Sequence, residues 1–409
     1  MPPAIVRGTP AYRSLARAML VAGLATFALL YGVQPLLPVF ATSYAVDAGQ
    51  ASLALSVATG AMAVCLIPAG ILSDRIGRRP LMVGALVTSA LFTIAAALAP
   101  NWPSLLAFRL LAGIALAGIP AVAMTYLAEE LDPGAIGPAM GLYIAGNGLG
   151  GMLGRLGVSL LYDLLGWRQA IGAVGILGLI AAIAFWWLAP FSRRFVPRRD
   201  DPAAIGAGFR RLARDEALPW LFAEGFLIMG AFVTVYNYVG FRLSVPPFSL
   251  TQSAIGALFL LYVLGSASSA WFGRHAERWG RRKVLWIPLL LSAGGALLTM
   301  PASILSIVAG IGLITAGFFG AHSIVSSWIG RRAGSDRALA SACYLAFYYL
   351  GGSLLGSLGG MAWTAGGWPG VVAFVGSLLA LALGIAFWLT RVLPLPVPEV
   401  TPREELPPA

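Results

Sequence analysis

The sequence predicts an all-α membrane protein in which twelve transmembrane helices form two pseudo-symmetric six-helix bundles around a central cavity. The first observation is composition, because 59% of the residues are hydrophobic and only 11% are charged, whereas soluble domains average about 25% charged residues. The second is a series of long apolar runs. The third is a charged loop that occurs twice, at matching places in the two halves of the chain.

The apolar runs, separated by charges, Gly and Pro, have the length of about 20 residues that a membrane-spanning helix requires. We number them spans 1 to 12, at residues 18–41, 50–72, 80–99, 104–127, 137–161, 168–190, 218–241, 252–273, 283–302, 303–329, 338–361 and 369–391. The break between spans 9 and 10 is placed near Met300 and Pro301. Span 1 is too long for the apolar core of a signal peptide and no A-x-A-like cleavage site follows it, so we expect it to stay as a helix.

The repeated loop lies between spans 2 and 3 and again between spans 8 and 9. At a separation of 203 residues, six positions of the first loop correspond to six of the second: Gly70, Asp74, Arg75, Gly77, Arg78 and Arg79 correspond to Gly273, Glu277, Arg278, Gly280, Arg281 and Arg282. The glycines allow two helices to meet in a short turn, and the carboxylate can cap a helix or pair with an arginine. One basic loop would indicate only orientation, but two indicate that a six-span unit is used twice.

The loops also predict the domain limits and the orientation. Residues 1–190 and 218–391 are the two bundles, residues 191–217 are a basic linker, and residues 392–409 are a Pro-rich tail. Arginines concentrate in one set of loops, so both termini are predicted to be cytoplasmic. Within the linker, residues 209–218 are either a short helix lying on anionic lipid or part of a solvated tether.

Glycines at four-residue spacing mark close helix packing in both halves. They are Gly146, Gly150 and Gly154 in span 5 and Gly352, Gly356 and Gly360 in span 11. Such ridges let helix backbones approach where lipid offers no hydrophobic drive for packing. Two parallel repeats that hold a substrate at their interface are a known plan of secondary transporters.

Four further runs carry, with the loops, a family resemblance: YGVQPLLP (31–38), MTYLAEE (124–130), LFAEGF (221–226) and AHSIVSSWIG (321–330). From about residue 20 to 390, the chain resembles the major facilitator superfamily, and within it bacterial inner-membrane transport proteins of the drug:proton antiporter-like branch. The resemblance implies export from the cell and a place in the bacterial inner membrane. One departure concerns span 5, where the Gly-Pro pair of the antiporter motif is missing although the glycines of residues 146–151 remain.

Glu224 in span 7 and His322 in span 10 are candidate proton-coupling residues, because ionisable side chains inside a bilayer are costly. Each lies about seven residues, or roughly 10 Å, from the cytoplasmic end of its span. A Glu and a His at one depth could exchange a proton as access alternates. Alternatively, Glu224 binds a neighbouring hydroxyl or reaches the surface, and His322 is a core histidine among serines.

Arg109 in span 4 and Arg155 in span 5 are at comparable depth near the periplasmic side. Arg109, followed four residues later by Gly113, resembles the family's helix-four motif. Asn147 and Arg155 share one face of span 5. Two cations with no acid at their level could attract an anionic substrate or control proton access. The alternative for Arg109 is hydrogen bonding to the backbone of span 1.

Aromatic and amide side chains are candidates for the cavity wall, because rings hold apolar or cationic compounds and buried amides need partners. The amides are Gln34 and Asn237. The rings are Tyr31, Tyr236, Tyr262, Tyr344 and Tyr348.

These observations predict a monomeric secondary active transporter that moves a small organic compound across the lipid bilayer by alternating access, as proton-coupled efflux. The alternative is an uptake symporter or facilitator for a sugar or metabolite. A receptor or a channel is less favoured, since we find neither a soluble sensor domain nor a ring of pore residues.

Other classes are excluded by residue types. The net charge of +11 comes from arginines in loops, which does not indicate nucleic acid. No nucleophile–base or metal constellation indicates an enzyme, and we expect no metal and no cofactor. Lys283 is the only lysine and is followed by Val, which excludes a P-loop. Cys65 and Cys343 lie far apart in apolar segments and indicate neither metal nor disulfide.

Overall fold

The computed structural model describes residues 3–197 and 202–392, and these are almost entirely helical. Within spans 1 to 6 the helices are Pro10–Tyr31, a 3-10 turn Gln34–Leu36 and Leu37–Tyr44 (span 1), Ala48–Ile76 (span 2), Arg78–Ala97 (span 3), Trp102–Leu116 and Pro120–Glu130 (span 4), Pro133–Leu165 (span 5) and Trp167–Leu188 (span 6). A proline lies at each interruption, where its missing backbone N–H costs no helical hydrogen bond. Pro35 lies in the 3-10 turn of span 1, and Pro120 begins the second helix of span 4.

The remaining helices are Pro202–Arg214 in the linker, Leu218–Leu243 (span 7), Gln252–Gly256, the 3-10 turn Ala257–Leu261 and Tyr262–Trp279 (span 8), Arg281–Val284 and Trp286–Leu298 (span 9), Ile304–Arg332 (span 10) and Arg337–Leu389 (spans 11 and 12). The last stretch is interrupted by non-helical backbone at Gly366 and Gly367. The break between spans 9 and 10 is confirmed, with Ser303 capping the start of span 10.

The fold class is confirmed. In the described part of the chain, nine helical stretches are long and apolar enough to cross a membrane. One of them, Gly334–Leu389, contains both span 11 and span 12. Spans 5 and 9 complete the twelve; span 9 consists of two short helices.

The glycine ridges pack as predicted. A Cβ added at Gly146 or Gly150 would be 2.4 or 2.1 Å from a carbonyl oxygen of span 1, and one at Gly154 would be 2.6 Å from Ala28 Cα. In span 11, Gly352 and Gly356 lie against Val233 of span 7. Spans 1 and 5 are therefore in backbone contact inside the first bundle. Spans 7 and 11 approach as closely next to the second ridge, since a Cβ added at Gly351 would be 2.0 Å from the Phe226 carbonyl oxygen.

Both basic loops lie at one end of the molecule. Spans 2 and 11 run antiparallel, with Gly49 against Gly360, so the start of span 11 is level with the end of span 2. Glu277 of the second loop pairs at 3.2 Å with Arg331, which lies just before span 11. The second loop is therefore at the same end of the molecule as the first. We call this end of the molecule the loop end and the opposite end the far end. A glycine is required in each loop, because Gly77 and Gly280 have φ of 98° and 88°.

The linker helix differs from the prediction in its bounds. It begins at Pro202 rather than 209, and it ends at Arg214. It stops there because the Asp215 carboxylate accepts hydrogen bonds from the backbone N–H groups of Ala217 and Leu218 and so begins span 7. Most of the predicted Pro-rich tail, residues 393–409, lies outside the described residues.

Candidate functional site at the interface between the bundles

A chain of buried polar side chains crosses between the bundles near the far end. Arg155 Nε donates to Gln34 Oε1 at 2.6 Å, and Gln34 Nε2 donates to Asn237 Oδ1 at 2.8 Å. All three side chains are at most 3% exposed. Sequence reasoning selected each residue separately, and the structure brings them together.

Aromatic rings from both bundles surround the Arg155 guanidinium. Its Cζ lies 4.2 Å from the centroid of Tyr31, 5.0 Å from Phe259 and 5.2 Å from Tyr262. A guanidinium at such distances is attracted by the ring faces. We call these three rings the Arg155 box; Tyr31 belongs to the first bundle, and Phe259 and Tyr262 belong to the second.

Glu224 and His322 both lie beside Tyr344. His322 Nδ1 and the Tyr344 hydroxyl are 2.7 Å apart. The Tyr344 ring packs against the backbone of Gly225, where an added Cβ would be 2.4 Å from Cε2, and Glu224 directly precedes Gly225 in the helix of span 7. Glu224 is fully buried, and neither carboxylate oxygen has a hydrogen-bond partner within the described ranges.

Arg109 makes the hydrogen bonds to the backbone of span 1 that were given above as the alternative to a role in transport. Its guanidinium donates to the carbonyl oxygens of Leu29 at 2.9 Å, Leu30 at 2.5 Å and Ala54 at 2.9 Å. Leu29 and Leu30 are in the last turn of the first helix of span 1, just before the interruption at Pro35. The side chain is fully buried, and it ties spans 1, 2 and 4 together.

Tyr236, Tyr31 and Asn147, three further candidate residues, differ in whether their polar atoms have hydrogen-bond partners. Tyr236 is hydrogen bonded to Thr315 at 2.8 Å inside the second bundle. The Tyr31 hydroxyl and Asn147 Oδ1 are buried without a hydrogen-bond partner in the described residues. Asn147 lies against Gly23 of span 1, where an added Cβ would be 2.6 Å from Oδ1.

Four serines form a contact between the bundles that sequence reasoning missed; we call it the serine seam. Ser52 and Ser56 of span 2 face Ser353 and Ser357 of span 11. The Oγ atoms of Ser56 and Ser357 are 2.7 Å apart, and Ser353 Oγ donates to the Ser56 carbonyl at 2.7 Å. The signal was present as serines at four-residue spacing in both spans, which places them on one helix face.

A second missed contact joins spans 5 and 8. Asp163 Oδ2 accepts a hydrogen bond of 2.8 Å from the backbone N–H of Ser253. Together with the serine seam and the Gln34–Asn237 pair, it shows that the hydrogen bonds between the bundles in the described part of the chain lie toward the far end.

The two basic loops form equivalent ion pairs, each inside its own bundle. Asp74 pairs with Arg78 at 2.5 Å, and Glu277 pairs with Arg281 at 3.3 Å. Arg78 is buried and also pairs with Glu129 of span 4 at 2.7 Å. The second loop is more open, since the Glu277 side chain is 58% exposed.

Two six-helix bundles that meet around buried ionisable groups are the architecture of membrane transporters built from two repeats. Residues 19–266 and 246–409 match the model of the Major Facilitator Superfamily. The chain belongs to this family, so the predicted resemblance is confirmed.

The relatives include the inner membrane transport protein YnfM of Escherichia coli (strain K12), which is 44% identical over 387 residues, covering 95% of this chain and 93% of that protein. The MFS-type transporter YybF of Bacillus subtilis (strain 168) is 40% identical over 392 residues, covering 96% and 97%. Among solved structures, a bacterial homologue of the human lysosomal transporter Spinster, inward-facing and occupied, superposes with a TM-score of 0.77 over 94% of this chain and 98% of that one. At 16% identity, that likeness concerns the fold alone.

Proposed function

We propose that this transporter exports a small organic compound in exchange for protons, and that Glu224 carries the proton. The observation that supports it most is the burial of Glu224 with no hydrogen-bond partner in the described residues. A partnerless carboxylate in apolar surroundings is costly when ionised, and a bound proton removes that cost. Ionisable groups inside transporter bundles commonly belong to proton or substrate paths.

Tyr344 and His322 are the proposed route by which the proton leaves Glu224. The Tyr344 hydroxyl contacts His322 Nδ1 at 2.7 Å, and His322 is only half-buried whereas Glu224 is fully buried. Asn147, Gln34, Asn237, Tyr31 and Tyr236 are proposed to line the path between the bundles, and the two basic loops are proposed to join the bundles when the far end opens.

The proposed orientation places the loop end in the cytoplasm and the protein, as a monomer, in the bacterial inner membrane. The arginine distribution supports it. With that orientation, the contacts at the far end close the protein toward the outside, as in an inward-facing transporter. The proposed domain limits are those given above, residues 1–190 and 218–391 with the linker between them.

The test begins with a substrate screen, in which compound accumulation is compared between cells that lack and cells that carry the protein. Adding a compound found in this way to inverted vesicles that hold a proton gradient should release protons, and an uncoupler should stop its transport. Glu224→Gln should abolish the proton release. Glu216→Gln, at an exposed position before span 7, is the matched control. Undiminished gradient-driven export by Glu224→Gln would remove Glu224 from the mechanism.

The same vesicles separate export from uptake. If proton and substrate moved in the same direction, the protein would be a symporter. If an uncoupler left transport unchanged, it would be a facilitator. Either result would replace antiport as the function.

A further inference from the structure

The interface between the bundles contains a cation whose counter-charge is missing. Arg155 is 3% exposed, and in residues 3–197 and 202–392 no carboxylate oxygen lies within ion-pair distance of it. Glu224 precedes Asn237, the residue level with Arg155, by 13 positions on one helix, which is about 20 Å at 1.5 Å per residue. A guanidinium stays charged in proteins, and the hydrogen bonds and ring contacts of Arg155 supply no negative charge to offset its burial. An anion bound at Arg155 would supply that charge.

The hydrogen bonds of Arg155 leave one edge of the guanidinium available. Nε donates to Gln34 at 2.6 Å and Nη1 donates to the Gly151 carbonyl at 2.6 Å, which fixes the plane of the group. The hydrogen bonds that the guanidinium donates to described residues use Nε and Nη1 and leave Nη2 without one. The hydroxyl of Tyr31, whose ring contacts the guanidinium, has no partner in the described residues either. Because the Tyr31 ring centroid lies 4.2 Å from the guanidinium Cζ, Nη2 and the Tyr31 hydroxyl are two donors that can each serve one oxygen of a carboxylate.

A row of rings leads from the Arg155 box toward His322. Tyr262 lies 5.8 Å from Phe232, Phe232 stacks on Phe318 at 3.9 Å, and Phe318 stacks on His322 at 6.1 Å between centroids. These rings are buried, with Phe232 and Phe318 each 5% exposed, and they form a continuous apolar row inside the second bundle. It suits the body of a compound whose charged group is held at Arg155.

We infer that the transported compound is an organic carboxylate with an aromatic or apolar body, bound through its carboxylate by Arg155 and the Tyr31 hydroxyl. The inference rests on the proposed transport function and adds the substrate class to it. An organic cation does not suit this position, because the ring faces of the Arg155 box are already occupied by a cation.

Binding to the purified full-length protein in detergent tests the inference without a proton gradient. The probes are benzoate, its neutral amide benzamide and the cation benzylammonium, with hexanoate and hexanamide as an aliphatic pair. A ligand that binds the folded protein raises its unfolding temperature in a concentration-dependent way. We expect at least one carboxylate to raise the unfolding temperature at about 10 mM, while its amide and benzylammonium leave it unchanged.

Three variants assign the effect to the site. Arg155→Gln should abolish the shift, and Arg155→Lys should weaken carboxylate binding roughly tenfold because an ammonium lacks the planar fork. Tyr31→Phe keeps the ring and should weaken binding roughly fivefold, as expected for one lost hydrogen bond. Arg210→Gln, at an exposed position of the linker helix, should bind like the unchanged protein. If Arg155→Gln does not fold, Arg155→Lys and Tyr31→Phe still show whether the carboxylate binds at this site.

The outcomes are distinct from those of the proton experiment. Carboxylate binding is measured without a proton gradient, so its loss in Arg155→Gln and its retention in Arg210→Gln can be scored whatever Glu224→Gln does in the vesicle assay. An equal shift from an amide or from benzylammonium would overturn the inference, as would unchanged binding in both Arg155→Lys and Tyr31→Phe. No shift from either carboxylate would overturn it as well.

Discussion

Gln34 and Asn237 are equivalent positions of the two halves, 203 residues apart, and their side-chain amides are hydrogen bonded to each other at 2.8 Å. The same separation relates Asp74 to Glu277 and Gly77 to Gly280 in the basic loops. A direct contact between equivalent positions places the pair on the pseudo-twofold axis. Arg155 breaks the symmetry, because it donates to Gln34 and not to Asn237.

Replacing Gln34 should loosen the far end. Gln34→Leu leaves Arg155 Nε and the Asn237 amide buried without partners, at a cost of about 1–3 kcal/mol to the state in which the far end is closed. A cysteine placed at Ser357, in a protein without Cys65 and Cys343, should then react faster with a maleimide. Gln34→Leu combined with Asn237→Leu should raise the rate of the maleimide reaction less than Gln34→Leu alone, because fewer buried groups lose a partner. Additive effects would contradict this account.

The serine seam should behave as a closure that must separate during transport. The Oγ atoms of Ser56 and Ser357 are 2.7 Å apart, so cysteines at both positions are close enough for a disulfide. Oxidation of Ser56→Cys with Ser357→Cys, in the absence of the native cysteines, should stop transport, and a reductant should restore it. Each single cysteine should be insensitive to oxidation. Full transport by completely cross-linked protein would show that the seam stays closed throughout the cycle.

Two glycines of span 5 provide a matched pair for the packing of spans 1 and 5. A Cβ at Gly150 would lie 2.1 Å from the Leu24 carbonyl oxygen, whereas one at Gly148 would have nothing within 4 Å. Gly150→Ala should therefore lower the free energy of unfolding by about 1–3 kcal/mol. Gly148→Ala should be neutral or slightly stabilising, because alanine favours helix. Denaturant titration in micelles measures both, and equal effects would argue against close contact at Gly150.

Arg109 should contribute to stability in a way that lysine cannot replace. A single ammonium cannot serve the carbonyl oxygens of Leu29, Leu30 and Ala54 together, so Arg109→Lys should lower the free energy of unfolding by about 2–4 kcal/mol. Arg17→Lys, at an exposed position of span 1, should leave it unchanged. Lost transport in an Arg109→Lys protein of normal stability would instead assign Arg109 a direct role in transport.

The ion pair between the linker and span 10 should make stability depend on pH. Burial alone would raise the pKa of Asp215, but hydrogen bonds from Arg332 and from the N–H groups of Ala217 and Leu218 outweigh burial and hold the pKa below its ordinary value of 3.8. A carboxyl whose folded-state pKa is depressed stabilises above its unfolded pKa and loses this contribution as the pH falls through the folded pKa.

Asp215→Asn should therefore unfold at a lower temperature than the unchanged protein at neutral pH. The difference should shrink once the pH falls below about 4. Glu216→Gln, at the exposed neighbouring position, should show no such trend. A difference independent of pH would assign the effect to the helix cap rather than to the charge.

Much of the architecture could be predicted because it is local. Apolar length, the break near Pro301 and the glycine spacing each report a property of one span or loop. The structure confirms the break and the close packing at the glycines, and it confirms the apolar length for every span except 5 and 9. The bounds of the linker helix could not be predicted, because its end depends on how the Asp215 side chain turns back to cap span 7. The serine seam was missed because small hydroxyl residues inside spans usually bond to their own helix.

The sequence alone determined that the chain crosses the membrane twelve times as a duplicated six-span unit, since hydropathy and loop repeats are readable along one dimension. Only the tertiary structure decided which buried polar groups meet. Arg155 with Gln34 and Asn237, Arg109 with the carbonyl oxygens of span 1, and Glu224 beside Tyr344 all depend on how each helix is rotated about its axis and where it crosses its neighbours. A hydropathy pattern inside a membrane does not specify that rotation, because lipid-facing and core-facing positions are both apolar.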